Sequence, residues 1–218
     1  TESGVVFHYF HDGGEPRIYF TNPKATFPST IQKIDSDIVL RYGMIEGSAQ
    51  IRAKTAIFDP QNSNNPEVFS LSGSSADNLA VIMNMGEARS LTKEDSIERI
   101  FSRLHEMAAN VCVLKAGPFG AFVSPGKGKA YCPIPAYKSS RIYKLGTGDI
   151  FSSAFSAYWA VDKEDPITAA KLASMTTAEY CEKGGEIDLV EMGSSLIEKW
   201  QGREVTGTAV VSMGSWCA

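Results

Sequence analysis

Two short blocks of strand formers open the chain, Val5-Val6-Phe7 and Arg17-Ile18-Tyr19-Phe20, with Asp12-Gly13-Gly14 between them, and this pattern predicts a β-hairpin. Two strands alone are marginal, so the hairpin must pack on something. Beyond it the texture changes. Short apolar runs at 38–40, 56–58, 80–83 and 111–114 alternate with stretches of helical spacing, the signature of parallel strands covered on both faces. Residues 46–54 are compatible with a helix and 85–91 with a short one. Thr92-x-x-Asp95 resembles a capping box and predicts the start of a longer helix toward Ala109. Residues 121–123 and 129–132 flank Pro125-Gly126-Lys127-Gly128, a second hairpin whose basic GKGK stretch reads as a solvated turn. Phe151, Ala154, Phe155 and Tyr158 recur at three- and four-residue spacing and mark the apolar face of a helix over 148–160. Asp165-Pro166 supplies a cap and a first-turn proline for a helix running to about Lys183, where Gly184-Gly185 stops it. A last helix over 190–200 and an apolar run over 209–213 complete the pattern, with no internal repeat and no low-complexity linker.

Length and composition narrow the class. The 218 residues suit one principal core with a small appendage, and 43% hydrophobic with 21% charged residues is ordinary globular composition. A net charge of −4 gives no electrostatic pull toward nucleic acid or an anionic membrane. No stretch approaches the roughly 18 apolar residues of a membrane helix, and the first residues lack a basic region followed by an apolar block. A soluble, cytoplasmic protein is the expectation. Cys112, Cys132, Cys181 and Cys217 lie far apart with no CxxC pair, so reduced thiols are expected rather than a zinc site or a disulfide framework. His8 and His11 stand beside Asp12, but His105 is remote, and a loop-flanking pair is a plainer reading than a metal cluster.

Chemistry concentrates in three places. Leu145-Gly146-Thr147-Gly148-Asp149 is a glycine-rich turn feeding an amphipathic helix, so backbone N–H groups point outward at the positive end of that helix and can hold an anion. Asp149 places a carboxylate beside this cradle, which suits phosphoryl transfer to an alcohol, with the carboxylate taking the hydroxyl proton. The alternative is a plain loop with a helix-capping acid. Asn84-x-x-Glu87 follows an apolar strand at a strand-to-helix junction, where ligands collect in open parallel sheets, and its oxygens could face a hydrated Mg²⁺. An Asn cap with a first-turn Glu explains the same pattern. Lys115-x-Gly117-x-x-Gly120 places glycines just after a buried strand, as a nucleotide contact or a hairpin turn.

Taken in order, Asn84-x-x-Glu87, Lys115-x-Gly117-x-x-Gly120, Gly146-Thr147-Gly148-Asp149 and the alanine-rich stretch from Ala169 to Ala178 resemble the ribokinase-like PfkB carbohydrate kinase family. Asp59-Pro60-Gln61-Asn62 is similar to its DP-N element. The resemblance implies a three-layer α/β/α fold with a mostly parallel sheet over 31–218, and a remnant of a small β-lid in residues 1–30. It implies an ATP-dependent kinase acting on a sugar or nucleoside-like alcohol. Asp149 would be the catalytic base, and the N–H groups of Gly146, Thr147 and Gly148 the anion hole. Asn84 and Glu87 would organise Mg²⁺ and the ATP phosphates through water. Lys115, Gly117 and Gly120 would lie along the nucleotide, and the helix around Ala178 would wall the adenine pocket.

The chain also departs from the family pattern. Tyr143, Lys144 and Leu145 stand where an acidic residue and threonines are common, which argues against activation by a monovalent cation. Lys115 stands where threonine or serine is frequent. The usual opening strands, with a substrate-binding Asp and a Gly-Gly-Asn segment, have no counterpart. A sheet short of those strands would carry apolar edge surface for the missing segment or a second copy in a homodimer to cover. Two alternatives to an active kinase therefore stay open: a nucleotide- or sugar-binding module without turnover, and the partial kinase domain of a longer or fused chain. No P-loop, dinucleotide fingerprint, nucleophile elbow or HExxH motif is present.

Overall fold

The computed structural model describes residues 5–8, 17–20, 31–44, 47–62, 65–141, 143, 145–185 and 194–205. The opening hairpin is present as β1 (Val5–His8) and β2 (Arg17–Phe20), paired antiparallel with Val5 opposite Phe20. Its turn, with His11 and Asp12, lies outside the described residues, as do the apolar run 209–213 and Cys217.

Six further strands form one sheet in the order β3 (Gln32–Tyr42), β4 (Ala49–Asp59), β5 (Ser75–Asn84), β6 (Val111–Lys115), β7 (Ala121–Ser124) and β8 (Cys132–Ile134). The first four run parallel and the last two pairings are antiparallel. Alternation along each strand sorts the apolar side chains onto two faces. Ile57, Ala80, Ile82, Val111, Val113 and Val123 join one core with α3 (Thr147–Ser156), α4 (Pro166–Glu182) and α5 (Ser194–Trp200). Phe58, Leu79, Val81, Met83, Cys112 and Leu114 join the other, with α1 (Met85–Thr92) and α2 (Ile97–Glu106). The result is the expected three-layer α/β/α arrangement. Among the described residues, no helix is long and apolar enough to cross a membrane.

Of the helix expected over 46–54, residue 46 lies outside the described residues and 49–54 are strand instead. β4 begins at Ala49, and Ile51 and Ala53 are buried while Arg52 and Lys54 are exposed, a period of two that wins over the helical composition of the segment. The cap expected at Thr92 is also displaced. Thr92 closes α1, its hydroxyl donating to Ala88 O at 2.7 Å, and Ser96 caps α2 by accepting from Arg99 N. The second strand of the basic hairpin is β8, placed three residues later than expected and carrying Pro133. Proline is tolerated there because β8 is an edge of the sheet. α4 matches the expected signals, with the Asp165 carboxylate accepting from Ile167 N and Thr168 N. Of the expected last helix, 190–193 lie outside the described residues.

Candidate functional site

Strand register brings the site together at the carboxyl ends of the parallel strands. Tyr42 and Asp59 are direct partners across β3 and β4, and Asn84 and Lys115 across β5 and β6. Asp59 and Lys115 each follow a residue whose side chain packs toward α1 and α2, so their own side chains face α3. There the Asp59 carboxylate is fully buried and its Oδ2 accepts from Lys115 Nζ at 2.5 Å and Ser152 Oγ at 2.6 Å. The other oxygen, Oδ1, is buried without a hydrogen-bond partner among the described residues.

The glycine-rich turn enters α3 as expected. Gly146 is the N-cap with φ 75°, a left-handed conformation suited to glycine, and no side chain caps the helix start. A Cβ on Gly146 would stand 3.0 Å from the Tyr180 hydroxyl, which donates to Leu145 O at 3.1 Å. Other contacts strap α4 to the segment leading into the turn: Ser140 N and Oγ donate to Glu182, and Cys181 Sγ lies 3.3 Å from Tyr143 O. The turn is thereby set on α4, and α3 on the sheet. Lys115 Nζ lies 3.5 Å from where a Gly148 Cβ would be, which puts an ammonium group beside the positive end of the helix. Two positive features meet there, as an incoming phosphate would require.

Asp149 is exposed in the first turn of α3. Its Oδ1 accepts a hydrogen bond from Gln61 Nε2, and its backbone carbonyl accepts from the Tyr42 hydroxyl at 2.9 Å. Ser153 Oγ lies 2.8 Å from the same Tyr42 oxygen. Burial pushes the Tyr42 phenol above its usual range, the Ser153 hydrogen bond opposes this, and the negative charges of Asp149 and Asp59 add to the rise. The phenol therefore stays a neutral O–H donor at physiological pH.

Asn84 and Glu87 form a reciprocal capping box at the start of α1: Glu87 N donates to Asn84 Oδ1 at 2.8 Å, and Asn84 N to Glu87 Oε2 at 2.9 Å. Among the described residues, no group of three or more His, Cys, Asp or Glu could hold a metal ion. Gly117 has φ 57° with open space beside its Cα. Gly120, at φ 84°, passes so close to β8 that a Cβ would lie 2.0 Å from Ile134 O. Ala178 is buried in the core that α4 shares with α3.

The structure thus brings Lys115, Gly148 and Asp149 to one place and adds Tyr42, Asp59, Gln61, Ser152 and Ser153. Of these, Asp59 and Gln61 were visible as a DP-N-like element, without a role. The serines carried a signal: they stand three and four residues after Asp149 and so share its helix face. Tyr42 carried none, because its place depends on strand register.

No family model matches the chain, and no curated protein matches it in sequence. Solved structures do match. Ribokinase from Thermotoga maritima aligns with a TM-score of 0.53 at 16% identity, over 75% of this chain and 56% of that one. Fructokinase from Vibrio cholerae, with fructose, ADP and calcium bound, aligns at 0.52 and 16% identity, over 84% of this chain and 68% of that one. A double mutant of the same fructokinase, with fructose, ADP and potassium bound, aligns at 0.53 over the same shares. The fold is ribokinase-like, and the chain spans about 56% of the ribokinase it matches.

Proposed function

We propose that this chain, with its ribokinase-like fold, is the phosphoryl-transfer portion of an ATP-dependent kinase acting on a hydroxyl of a sugar or nucleoside-like substrate. The observation that carries the reading is an exposed carboxylate, Asp149, in the first turn of a helix entered through a left-handed glycine, with the Lys115 ammonium beside the same turn. Asp149 takes the proton of the acceptor hydroxyl as its oxygen bonds to the γ-phosphorus. The bond to the ADP oxygen breaks, and the proton passes later to water. The amides at Gly146, Thr147 and Gly148, with Lys115, meet the charge on the transferred group. General-base assistance of this kind contributes about 10²- to 10⁴-fold.

ATP fits the cradle: phosphate oxygens suit amide donors at a helix start and a nearby ammonium. Mg²⁺ is assigned to the phosphates and water, with Asn84 and Glu87 as neighbours through water, because their oxygens already accept backbone N–H groups. Gly117 and Gly120 lie along the nucleotide, and Ala178 backs the adenine side. The hairpin β1–β2 belongs to a lid over the acceptor. Binding without turnover is the second reading, favoured by Tyr143, Lys144 and Leu145 standing before the turn in place of an acidic residue and threonines.

Thermal unfolding tests the nucleotide binding that both readings share, and ADP release separates them. Millimolar MgATP is expected to raise Tm, since a ligand bound only by the folded state stabilises it, and Asp149→Asn should keep this shift while lowering ADP release with acceptor by about 10²- to 10⁴-fold. Equal turnover in both proteins would remove Asp149 from its role, and no shift in either would remove nucleotide binding altogether.

A further inference from the structure

We infer that Gln61 is the positioning residue of the candidate base: its side-chain amide holds Asp149 Oδ1 and leaves Oδ2 for the acceptor hydroxyl. This rests on the reading of Asp149 as the base. Three independent features place Gln61 there.

Its backbone is the first. Among the described residues, four non-glycines have positive φ: Gln61, Lys93, Ala108 and Lys163. The last three follow the ends of helical segments, where the left-handed conformation is the ordinary way to stop. Gln61, at φ 48°, follows a strand and ends no helix. A side chain held in a costly conformation is a pointer to a job for it.

The clamping of the turn is the second feature. Gly43 N donates to Asp59 O at 2.7 Å, and a Cβ on Gly43 would lie 1.8 Å from Pro60 O, so β3 closes down on the Asp59-Pro60 peptide. The Asp59 side chain is pinned by Lys115 and Ser152. Ser152 stands one turn after Asp149, so the segment 59–61 grips α3 at two successive turns, through Ser152 and through Asp149.

The third feature is the division of the carboxylate. Oδ1 accepts from Gln61, Tyr42 holds the Asp149 carbonyl, and Oδ2 has no hydrogen bond among the described residues. One oxygen is anchored while the residue as a whole is exposed, the arrangement a base needs to meet a hydroxyl at a fixed angle.

The test uses Gln61→Ala, the isosteric Gln61→Glu, Asp149→Asn and the Gln61→Ala/Asp149→Asn pair. The assay is MgATP with whichever of fructose, ribose and inosine the wild type phosphorylates fastest. Gln61→Ala should lower kcat about 10- to 100-fold, the scale of a misplaced catalytic group, with KM and the MgATP thermal shift unchanged. Gln61→Glu keeps the shape but loses the donor, and should fail as Gln61→Ala does. On the Asp149→Asn background, Gln61→Ala should cost nothing further, because the two act as a unit. In ligand-free protein, the ¹⁵N–¹H signal of the Gln61 side-chain amide should move on Asp149→Asn substitution. Wild-type kcat in Gln61→Ala, full activity in Gln61→Glu, an additive loss in the double variant, or an unmoved amide signal would each overturn the inference. A wild type inactive on every acceptor overturns the kinase reading, and the positioning role with it, while the amide signal still decides whether the pair exists.

Discussion

The pairing of Asp59 with Lys115 shows how one side chain can serve the fold and the site together. The carboxylate side chain is 1% exposed and the ammonium side chain 17%, so neither keeps full hydration. Such a pair contributes little net stability when intact, yet removing one partner strands the other at a cost of about 3–5 kcal/mol. Lys115→Met should therefore lower the urea midpoint steeply. Adding Asp59→Asn on top should restore much of the loss, because the uncompensated charge is gone. If the double variant is no more stable than the single, the pair is not what makes Lys115 costly to lose. Residues of this kind were only half legible in the sequence. Lys115 and Asp149 announced themselves through motif spacing. Ser152 showed only in its spacing from Asp149, and Tyr42 not at all, since a tyrosine ending a strand looks ordinary until strand register sets its hydroxyl against the Asp149 carbonyl.

Among the elements, α4 does most to hold the site in shape. Its small apolar residues, Ala169, Ala170, Ala173 and Ala178, let it lie close under the sheet, and its C-terminal half carries Tyr180 against the glycine turn. That half is tied to α5 by Glu179, which accepts from Lys199 Nζ at 2.6 Å and from Trp200 Nε1 at 3.1 Å. Burial alone would raise the Glu179 carboxyl, but the Lys199 hydrogen bond and charge, with the Trp200 N–H and the Lys183 charge, outweigh it and hold it below its ordinary value of 4.5. A carboxyl depressed on folding stabilises fully above its unfolded value, and this contribution is lost as pH falls through the folded one. Stability should thus decline as pH drops below about 4.5, and Glu179→Gln should flatten that decline in urea melts across the acid range. An unchanged acid limb would show that the knot does not titrate with folding. The helices were the more readable elements because caps are local: Asp165-Pro166 and Gly184-Gly185 bracket α4 in sequence as in space. β4 was misread because its alternation, Ile51 and Ala53 against Arg52 and Lys54, sits in a segment that also suits a helix.

At the scale of the whole molecule, the three-layer plan was legible because each buried strand feeds two cores and so reads as an unbroken apolar run. The site was less so, because it is assembled from distant parts of the chain. Tyr42 meets the Asp149 carbonyl across 107 positions in sequence and Ser153 across 111. Tyr42 ends β3, the outermost strand, whose first seven residues are all exposed. Among the described residues β3 is paired on one side only, and a border strand is where local opening is cheap, so the peptide that carries the proposed base leans on a strand whose far end is exposed. Deuterium uptake would reveal that dependence. With MgATP in the proposed phosphate cradle, amides near Tyr42 should exchange more slowly although no ligand touches them, and the fraying of a border strand would become a gauge of whether that cradle is filled.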